Sequence, residues 1–442
     1  MDMYLPHSVK ACIDSLESAG FSAYAVGGCV RDSLLGLTPQ DYDLCTSASP
    51  SEMQQIFAHR RLVLAGEKHG TVAVITEDGP IEITAYRQEG GYTDSRHPGW
   101  VKFVSHVEGD LSRRDFTVNA MAYSPYRGFA DPFGGREDLK NGCLRAVGDP
   151  HARFTEDALR ILRGVRFSVR YGLTPDPATG EAMESLVALT NNLARERVFD
   201  ELCKLLPLVQ AEDLLRFAPI LTRVIPELAP MVGFDQKTRY HAYDLFTHTA
   251  KVTGGVAPQL HLRWAALLHD IGKPGTFYTD EQGQGHFPGH AKLSAAMAEE
   301  VLRRLKAPTA LREQVVALIA RHMTLPETDK RLLRRQLGKW GTDGFRDFLT
   351  LQMADYAAKG TGETTDLFDR VQALLSELQE EDACLTLKDL AVNGRDLLAA
   401  GFPAGPALGN CLNGLLRAVQ DEEISNDRAA LLALAATWQQ NY

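Results

Sequence analysis

Residues Tyr24–Cys45 read YAVGGCVRDSLLGLTPQDYDLC, and the reading of this stretch decides the first half of the fold. A glycine pair directly follows the small, apolar run Phe21–Val26, which marks a strand ending where the backbone must come close to a guest. Phosphate is the usual guest of such a turn. Cys29–Gly36 has helical composition, so N–H groups at that helix start would face an anion, with Arg31 in the first turn. Asp41 and Asp43 then flank Tyr42, and on a strand the period of two places both carboxylates on one face. Such a pair repels itself unless a divalent cation sits between; oxygen ligands suit Mg²⁺, and phosphate oxygens complete its shell. The stretch therefore points to a nucleoside triphosphate held by glycine amides and by metal on the aspartates. A tight strand–helix turn followed by an Asx-rich loop is the alternative.

Composition sets the outer bounds. With 442 residues, 44% of them hydrophobic, the chain can bury cores for roughly two to four domains. No apolar run reaches membrane-spanning length, and MDMYLPHSVK lacks the apolar core of a signal peptide, so a cytoplasmic protein without a membrane partner is expected. The seven cysteines, from Cys12 to Cys411, show no CxxC spacing, which argues for reduced thiols and against a disulfide framework or zinc finger. A net charge of −10 means that any nucleic-acid site must come from a local basic surface. Nothing in these patterns specifies an oligomeric state.

Further along, Gly70–Arg87 (GTVAVITEDGPIEITAYR) alternates about an Asp78-Gly79 turn and predicts a hairpin of the same sheet. Glu82 has opposite parity to Ile81 and Ile83, making it either a third carboxylate beside the aspartate pair or a solvated strand-face residue. Tyr92–Phe103 reads as a polar loop. In Asp110–Tyr123 (DLSRRDFTVNAMAY), Arg113 and Arg114 precede Asp115 and Asn119, and their forked donors suit phosphate.

One helix is expected over Thr155–Arg170 (TEDALRILRGVRFSVR), with Thr155 as its N-cap. Arg160, Arg163 and Arg166 recur every third residue, behind Asp157. They form either a solvated basic face or a device for reading a base. A carboxylate beside a guanidinium can accept from the exocyclic amine of cytosine or adenine and donate to the adjacent ring nitrogen, and it mismatches uracil and guanine.

Four motifs in this order, GGCVRDSLLG, DYD, RRDFTVNAMA and EDALRILRGVRF, resemble those of the bacterial class II tRNA nucleotidyltransferases, the CCA-adding enzymes of the DNA polymerase β superfamily. LARERVFDELCKLL (193–206) is similar to a further neck motif of that family, and the stretch NGRDLLAAGFPAGPALGNCLNGLLRAV to its C-terminal helices. The resemblance implies an α+β fold: a nucleotidyltransferase head with a small mixed sheet (1–145), then an all-α neck (146–215), body (216–380) and tRNA-binding tail (381–442). It also implies that Gly28 and Arg31 contact the nucleotide, Asp41 and Asp43 bind Mg²⁺, and Arg114 holds phosphate. Asp157 and Arg160 would read the base of CTP or ATP, with Arg163 and Arg166 nearby, and tRNA would be the acceptor. Poly(A) polymerases share the head, and CC-adding relatives lack the loop kept here as GYTDSRHPGWVKF; full CCA addition is the expectation, with poly(A) or A-only addition as the alternative.

A second chemistry lies in YDLFTHTAKV, WAALLHDIGKPGTF and LQMADYA. His248, the His269-Asp270 doublet and Asp355 resemble the metal pattern of HD-domain phosphohydrolases, with His290 and His322 as further histidines. Imidazole and carboxylate together suit a transition metal. A protein whose working part is this site and whose head is an inactive RNA grip is the competing reading; the intact Asp41/Asp43 pair speaks against it.

Overall fold

The run before the glycine pair forms a central strand of a mixed seven-stranded sheet. The computed structural model describes residues 3–64, 66, 70–90, 99–361, 366–381 and 383–439. In chain order its strands here are β1 Ala23–Val26, β2 Leu44–Thr46, β3 Leu62–Val63, β4 Thr71–Thr76, β5 Gly79–Ala85, β6 Arg87–Gly90, β7 Trp100–Phe103, β8 Ala122–Ser124 and β9 Gly128–Ala130. The sheet order is β3-β4-β5-β2-β1-β8-β9, with β2 and β5 parallel and the other neighbours antiparallel. The α+β class expected from sequence holds.

The β4–β5 hairpin pairs Thr76 with Gly79, as the Asp-Gly turn predicts. Within the expected loop Tyr92–Phe103, Trp100–Phe103 is instead β7 and pairs antiparallel with β6, while residues 92–98 lie outside the described residues. Alternation in WVKF (Trp100–Phe103) is too short to announce a strand, and the partner β6 supplies the missing order.

Helices α1 His7–Ser18, α2 Gly28–Leu34, α3 Pro50–Ile56, α4 Val107–Leu111 and α5 Gly135–Lys140 accompany the sheet. The expected helix Thr155–Arg170 is two helices, α6 Pro150–Glu156 and α7 Leu159–Tyr171. Asp157 sits at the break with φ −145 and ψ 101, and its carboxylate accepts from Leu159 N at 3.1 Å. A short acidic side chain competing for the backbone starts α7 afresh. Thr155 is no N-cap: it lies in the last turn of α6, and Asp149 caps that helix through His151 N and Ala152 N.

α8 Pro177–Ser185, α9 Arg195–Leu205, α10 Ala211–Arg216 and α11 Ala218–Val224 follow. The chain then continues as α12 Leu245–Gly255, α13 Leu260–Leu268, α14 Lys273–Thr276, α15 His290–Arg304, α16 Thr309–Arg321, α17 Lys330–Trp340, α18 Thr342–Ala357, α19 Asp366–Glu380, α20 Gly394–Ala399, α21 Pro406–Gln420 and α22 Arg428–Gln439. Two compact units result, one made of Met1–Val209, Arg216–Ala229 and Arg304–Lys306, the other of Gln210–Leu215, Pro230–Arg303 and Ala307–Tyr442. In the first, Val26, Cys45, Tyr86, Leu111 and Ala122 form a core beneath the sheet. In the second, Leu397, Phe402, Cys411, Leu415 and Leu431 bury the apolar faces of the last three helices. All seven cysteines are free thiols, and burial pushes Cys29 up to about 12. Among the described residues no helix is long and apolar enough to cross a membrane.

Candidate active site and metal centre

β1 ends at Val26 and α2 begins at Gly28; the residue between them carries the geometric constraint. Gly27 has φ +78, and a Cβ there would lie 2.6 Å from the Arg114 guanidinium. The arginine end could swing aside, but the backbone conformation is one that L side chains rarely adopt, and it is this that calls for glycine. At Gly28, the glycine expected to contact the nucleotide, a Cβ would meet Arg31 at an ordinary 3.6 Å. Gly27 is thus the stricter member of the pair, and the doubled glycine was its signal.

Arg31 is buried, and its donors are engaged by protein. Nε and Nη2 donate to Asp32 Oδ1 at 2.8 and 2.7 Å, Nη1 donates to Asn119 Oδ1, and the guanidinium stacks 4.2 Å from the Tyr171 ring centroid. Held in this way, it lines a cavity of about 460 Å³. Around that cavity stand Gly28, Asp43, Arg114, Asp157, Arg160, Arg163 and Arg166, all singled out from the sequence. Arg197 and Tyr171 join them unforeseen. Arg197 lies inside the neck motif LARERVFDELCKLL, which the sequence marks only as a block, and Tyr171 carries no sequence signal.

The every-third-residue stripe of arginines acquires a different carboxylate at each step. Arg160 donates to Glu156 at 2.7 Å and to the carbonyls of Arg153 and Arg113 at 3.0 Å. Arg163 holds Asp115 at 2.7 Å, and Arg166 holds Glu201 at 2.7 Å. Asp157 pairs with Arg197 at 2.8 Å and Arg160 with Glu156, and both Asp157 and Arg160 line the cavity, as base-reading partners would. Burial alone would raise the Asp115 carboxyl, but Arg163 and Asn119 outweigh it and hold the group well below the ordinary range. Buried Asp110 anchors Arg113 at 2.8 Å and Arg114 at 3.3 Å.

Asp41 and Asp43 immediately precede β2, and the bond from Val26 N to Asp43 O at 3.0 Å extends the pairing with β1 by one residue. Both acids line a second cavity together with Glu82, and Asp43 lines both cavities. Burial, then the Glu82 and Asp41 carboxylates, push the Asp43 carboxyl up against the pull of Arg114. Three acids sharing an open cavity, one of them disfavoured as an anion, form a donor set that fits a hard divalent cation with oxygen ligands.

A denser cluster lies in the second unit. His248 from α12, His269 and Asp270 after α13, His290 at the start of α15, His322 at the end of α16 and Asp355 from α18 converge. Each imidazole turns Nδ1 to a backbone carbonyl: Ala358 at 3.3 Å, Ala266 at 2.7 Å, Phe287 at 2.8 Å and Ile319 at 2.7 Å. Nε2 of all four therefore points inward as a ligand atom. His248 Nε2 lies 2.9 Å from Asp355, and His269 Nε2 lies 3.2 Å from Asp270. Burial opposes ionisation of Asp270, yet His269 and Lys273 keep its carboxyl far below the usual range. Two residues here escaped the sequence reading. Lys273 Nζ sits 2.7 Å from Asp270 Oδ2 and 3.0 Å from Gln236 Oε1. His241 lies with its ring 4.7 Å from that of His248, and burial, Lys273 and His248 hold it down to about 3.

Residues 23–145 match the Poly A polymerase head domain family. A CCA-adding enzyme of Latilactobacillus sakei is 34% identical over 96% of this chain and 96% of its own length. The chain belongs to the CCA-adding enzymes. A Geobacillus stearothermophilus CCA-adding enzyme is 31% identical over 95% of this chain and 94% of its own. A Bacillus stearothermophilus CCA-adding enzyme solved in complex with CTP superposes with TM-score 0.67 at 28% identity, covering 99% of both chains. The Thermotoga maritima CCA-adding enzyme solved with tRNA shares the fold, with TM-score 0.64 at 18% identity over 99% of this chain and 96% of that one. Residues 276–435, which hold part of the histidine cluster, match the tRNA nucleotidyltransferase domain 2 family of this enzyme class.

Proposed function

We propose that this CCA-adding enzyme extends tRNA 3′ ends with C, C and A from CTP and ATP by Mg²⁺-dependent nucleotidyl transfer, and that its second unit carries a metal-dependent phosphohydrolase centre. In this reading residues 1–145 act as head, 146–215 as neck, 216–380 as body and 381–442 as a tRNA-binding tail. One observation carries the first half: Asp43 lines both the arginine-rich cavity and the cavity of Asp41 and Glu82. A triphosphate whose base lies among Asp157, Arg160 and Arg197 would bring its phosphates toward the aspartates.

Mg²⁺ on Asp41 and Asp43 would ease ionisation of the tRNA 3′-hydroxyl and neutralise triphosphate charge. The protein supplies the rest. Arg114, close over Gly27, offers its fork to the phosphates, and Arg31, held on Tyr171, lines the same cavity. Asp157 accepts from the exocyclic amine common to cytosine and adenine, and Arg160 donates to the ring nitrogen beside it. The 3′-oxygen bonds to the α-phosphorus, the α–β bridging bond breaks, and pyrophosphate leaves. Incubating full-length protein with tRNA lacking its end, Mg²⁺ and labelled CTP or ATP tests this: addition should stop after CCA, and homopolymer A tails would overturn it.

The histidine cluster supports the second half. Four imidazoles and two carboxylates form a donor set for a borderline transition metal, which would supply an activated water for a phosphate ester. Asp355, whose side chain is 18% exposed against 0–8% for the other ligands, opens the centre to solvent.

A further inference from the structure

Three cavities of the first unit are joined through shared wall residues. Asp43 belongs to the arginine cavity and to the carboxylate cavity, which measures about 1040 Å³. Tyr4, Pro6 and Tyr42 belong to the carboxylate cavity and to a smaller, more apolar one of about 490 Å³ that Leu37, Pro39 and Phe129 help to line. The two tyrosines therefore stand as a wall with room on either side, in the same cavity as Asp41, Asp43 and Glu82. Tyr42 is fixed there through the chain: β2 begins two residues on, and Val26 N donates to Asp43 O at 3.0 Å. Tyr4 precedes α1 and is 80% exposed, so its ring is open to a guest.

We propose that Tyr4 and Tyr42 form a stacking shelf for the base of the 3′-terminal tRNA nucleotide, the one whose hydroxyl is extended. The inference rests on the nucleotidyl-transfer reading above and adds the acceptor's place to it. In-line displacement sets the attacking 3′-oxygen and the departing pyrophosphate on opposite sides of the α-phosphorus. With the incoming base among Asp157, Arg160 and Arg197, and Asp43 at the junction of the cavities, the carboxylate cavity is the space left for the acceptor.

The lining of that cavity decides how an acceptor is held. Among the described residues that line it there is no lysine or arginine, and Asp41, Asp43, Glu77, Asp78 and Glu82 repel phosphate. The terminal nucleoside is then held by its base, and Tyr4 and Tyr42 supply the two large rings of the lining. Burial, the Cys29 thiol and the Tyr4 phenol push the Tyr42 hydroxyl up, so this ring stays neutral beside the carboxylates. Stacking also meets a demand of the reaction itself. The acceptor's last residue changes as C, C and A are added, and hydrogen bonds shaped to one base edge would be wrong at the next step. Every base has a π-face, so an aromatic shelf accepts each in turn, worth roughly tenfold in affinity per stacked base. Selection is left to Asp157 and Arg160, in the cavity on the far side of Asp43.

Single-nucleotide CMP addition by full-length protein tests the shelf, on acceptor tRNA ending either in its ordinary 3′ nucleotide or in an abasic one. Tyr4→Ala and Tyr42→Ala should each raise the KM for the ordinary acceptor about tenfold while the KM for CTP holds. The abasic acceptor should bind wild type about tenfold more weakly and show no further loss in either variant, since no base is left to stack. Tyr4→Phe and Tyr42→Phe, which keep the rings, should restore the acceptor KM. Tyr4 lies ahead of the first helix, so its variants guard against a Tyr42 change that disturbs Asp41 and Asp43. Equal losses on both acceptors, or a wild-type KM in both alanine variants, would overturn the shelf and leave the nucleotidyl-transfer reading intact. A kcat loss confined to Tyr42→Ala would also overturn it and make that residue a support of the aspartates. Failure of wild type to add C to either acceptor would sink this inference and the nucleotidyl-transfer reading together.

Discussion

The arginine cavity of the first unit and the histidine cluster of the second are both crowded with ionisable groups, yet they are completed in opposite ways. In the cavity every stripe guanidinium already has a carboxylate from the protein: Glu156, Asp115 or Glu201. In the cluster, His269 Nε2 and Asp270 Oδ1 are buried with no hydrogen-bond donor or acceptor of good geometry. A neutralised, braced site can admit a guest that brings its own charge and cation, such as a nucleoside triphosphate. A site of inward lone pairs offers itself to a cation. The difference shows that density of charge says little about a site, whereas the bookkeeping of partners says what is missing.

The comparison breaks first if the two sites fail to separate chemically. Asp43→Ala should cut CMP and AMP incorporation by roughly 10³-fold or more, since a lost metal ligand removes several kcal/mol of charge stabilisation. Bound transition metal should not change, and retained activity in a folded variant would end the Asp41/Asp43 assignment. Asp270→Ala is the mirror experiment. It should lower transition-metal affinity by about 10²-fold or more, abolish phosphate-ester hydrolysis and leave nucleotide addition largely intact; equal losses in both assays would show one coupled site.

Two smaller effects sharpen the contrast. Asp157→Ala should relax discrimination against UTP and GTP by about tenfold or more, at roughly 1–3 kcal/mol per base-edge contact. Arg160→Lys should be a defect as well, because an ammonium cannot span Glu156 and the Arg153 and Arg113 carbonyls as the fork does. Single-nucleotide incorporation with all four triphosphates reads both; equal rate losses for every base would reassign the stripe to gripping RNA. Smallest in activity is Asp115→Asn, whose effect belongs to stability. The folded Asp115 carboxyl lies below its unfolded value, so its contribution is present above about pH 4 and fades as pH falls through the folded value. Denaturant titrations should show a loss of roughly 2 kcal/mol at pH 7, reduced from the range for fully buried pairs because a third of Arg163 is exposed. The gap between variant and wild type should close in acid; a gap independent of pH would rule out the ion pair as its source.

The local alphabet of this protein was legible without coordinates. A glycine pair after an apolar run calls for a turn that glycine makes, an Asp-Gly flanked by alternation calls for a hairpin, and His-Asp beside further histidines offers a donor set of the kind cations take. Those are short-range statements, fixed by steric and donor–acceptor rules that act within a few residues. Tertiary structure decided the partners. The helix break at Asp157 depends on a carboxylate competing for Leu159 N while Arg197, forty positions on, holds its other oxygen. Composition favours one unbroken helix there, so sequence pattern pointed the wrong way. Arg31 meets Asn119 and Tyr171, and Asp270 divides its oxygens between histidines from four helices, because packing brings them together across long separations. No periodicity records such distances, and the partition of Asp270 is visible only once the rings have been turned by their carbonyls.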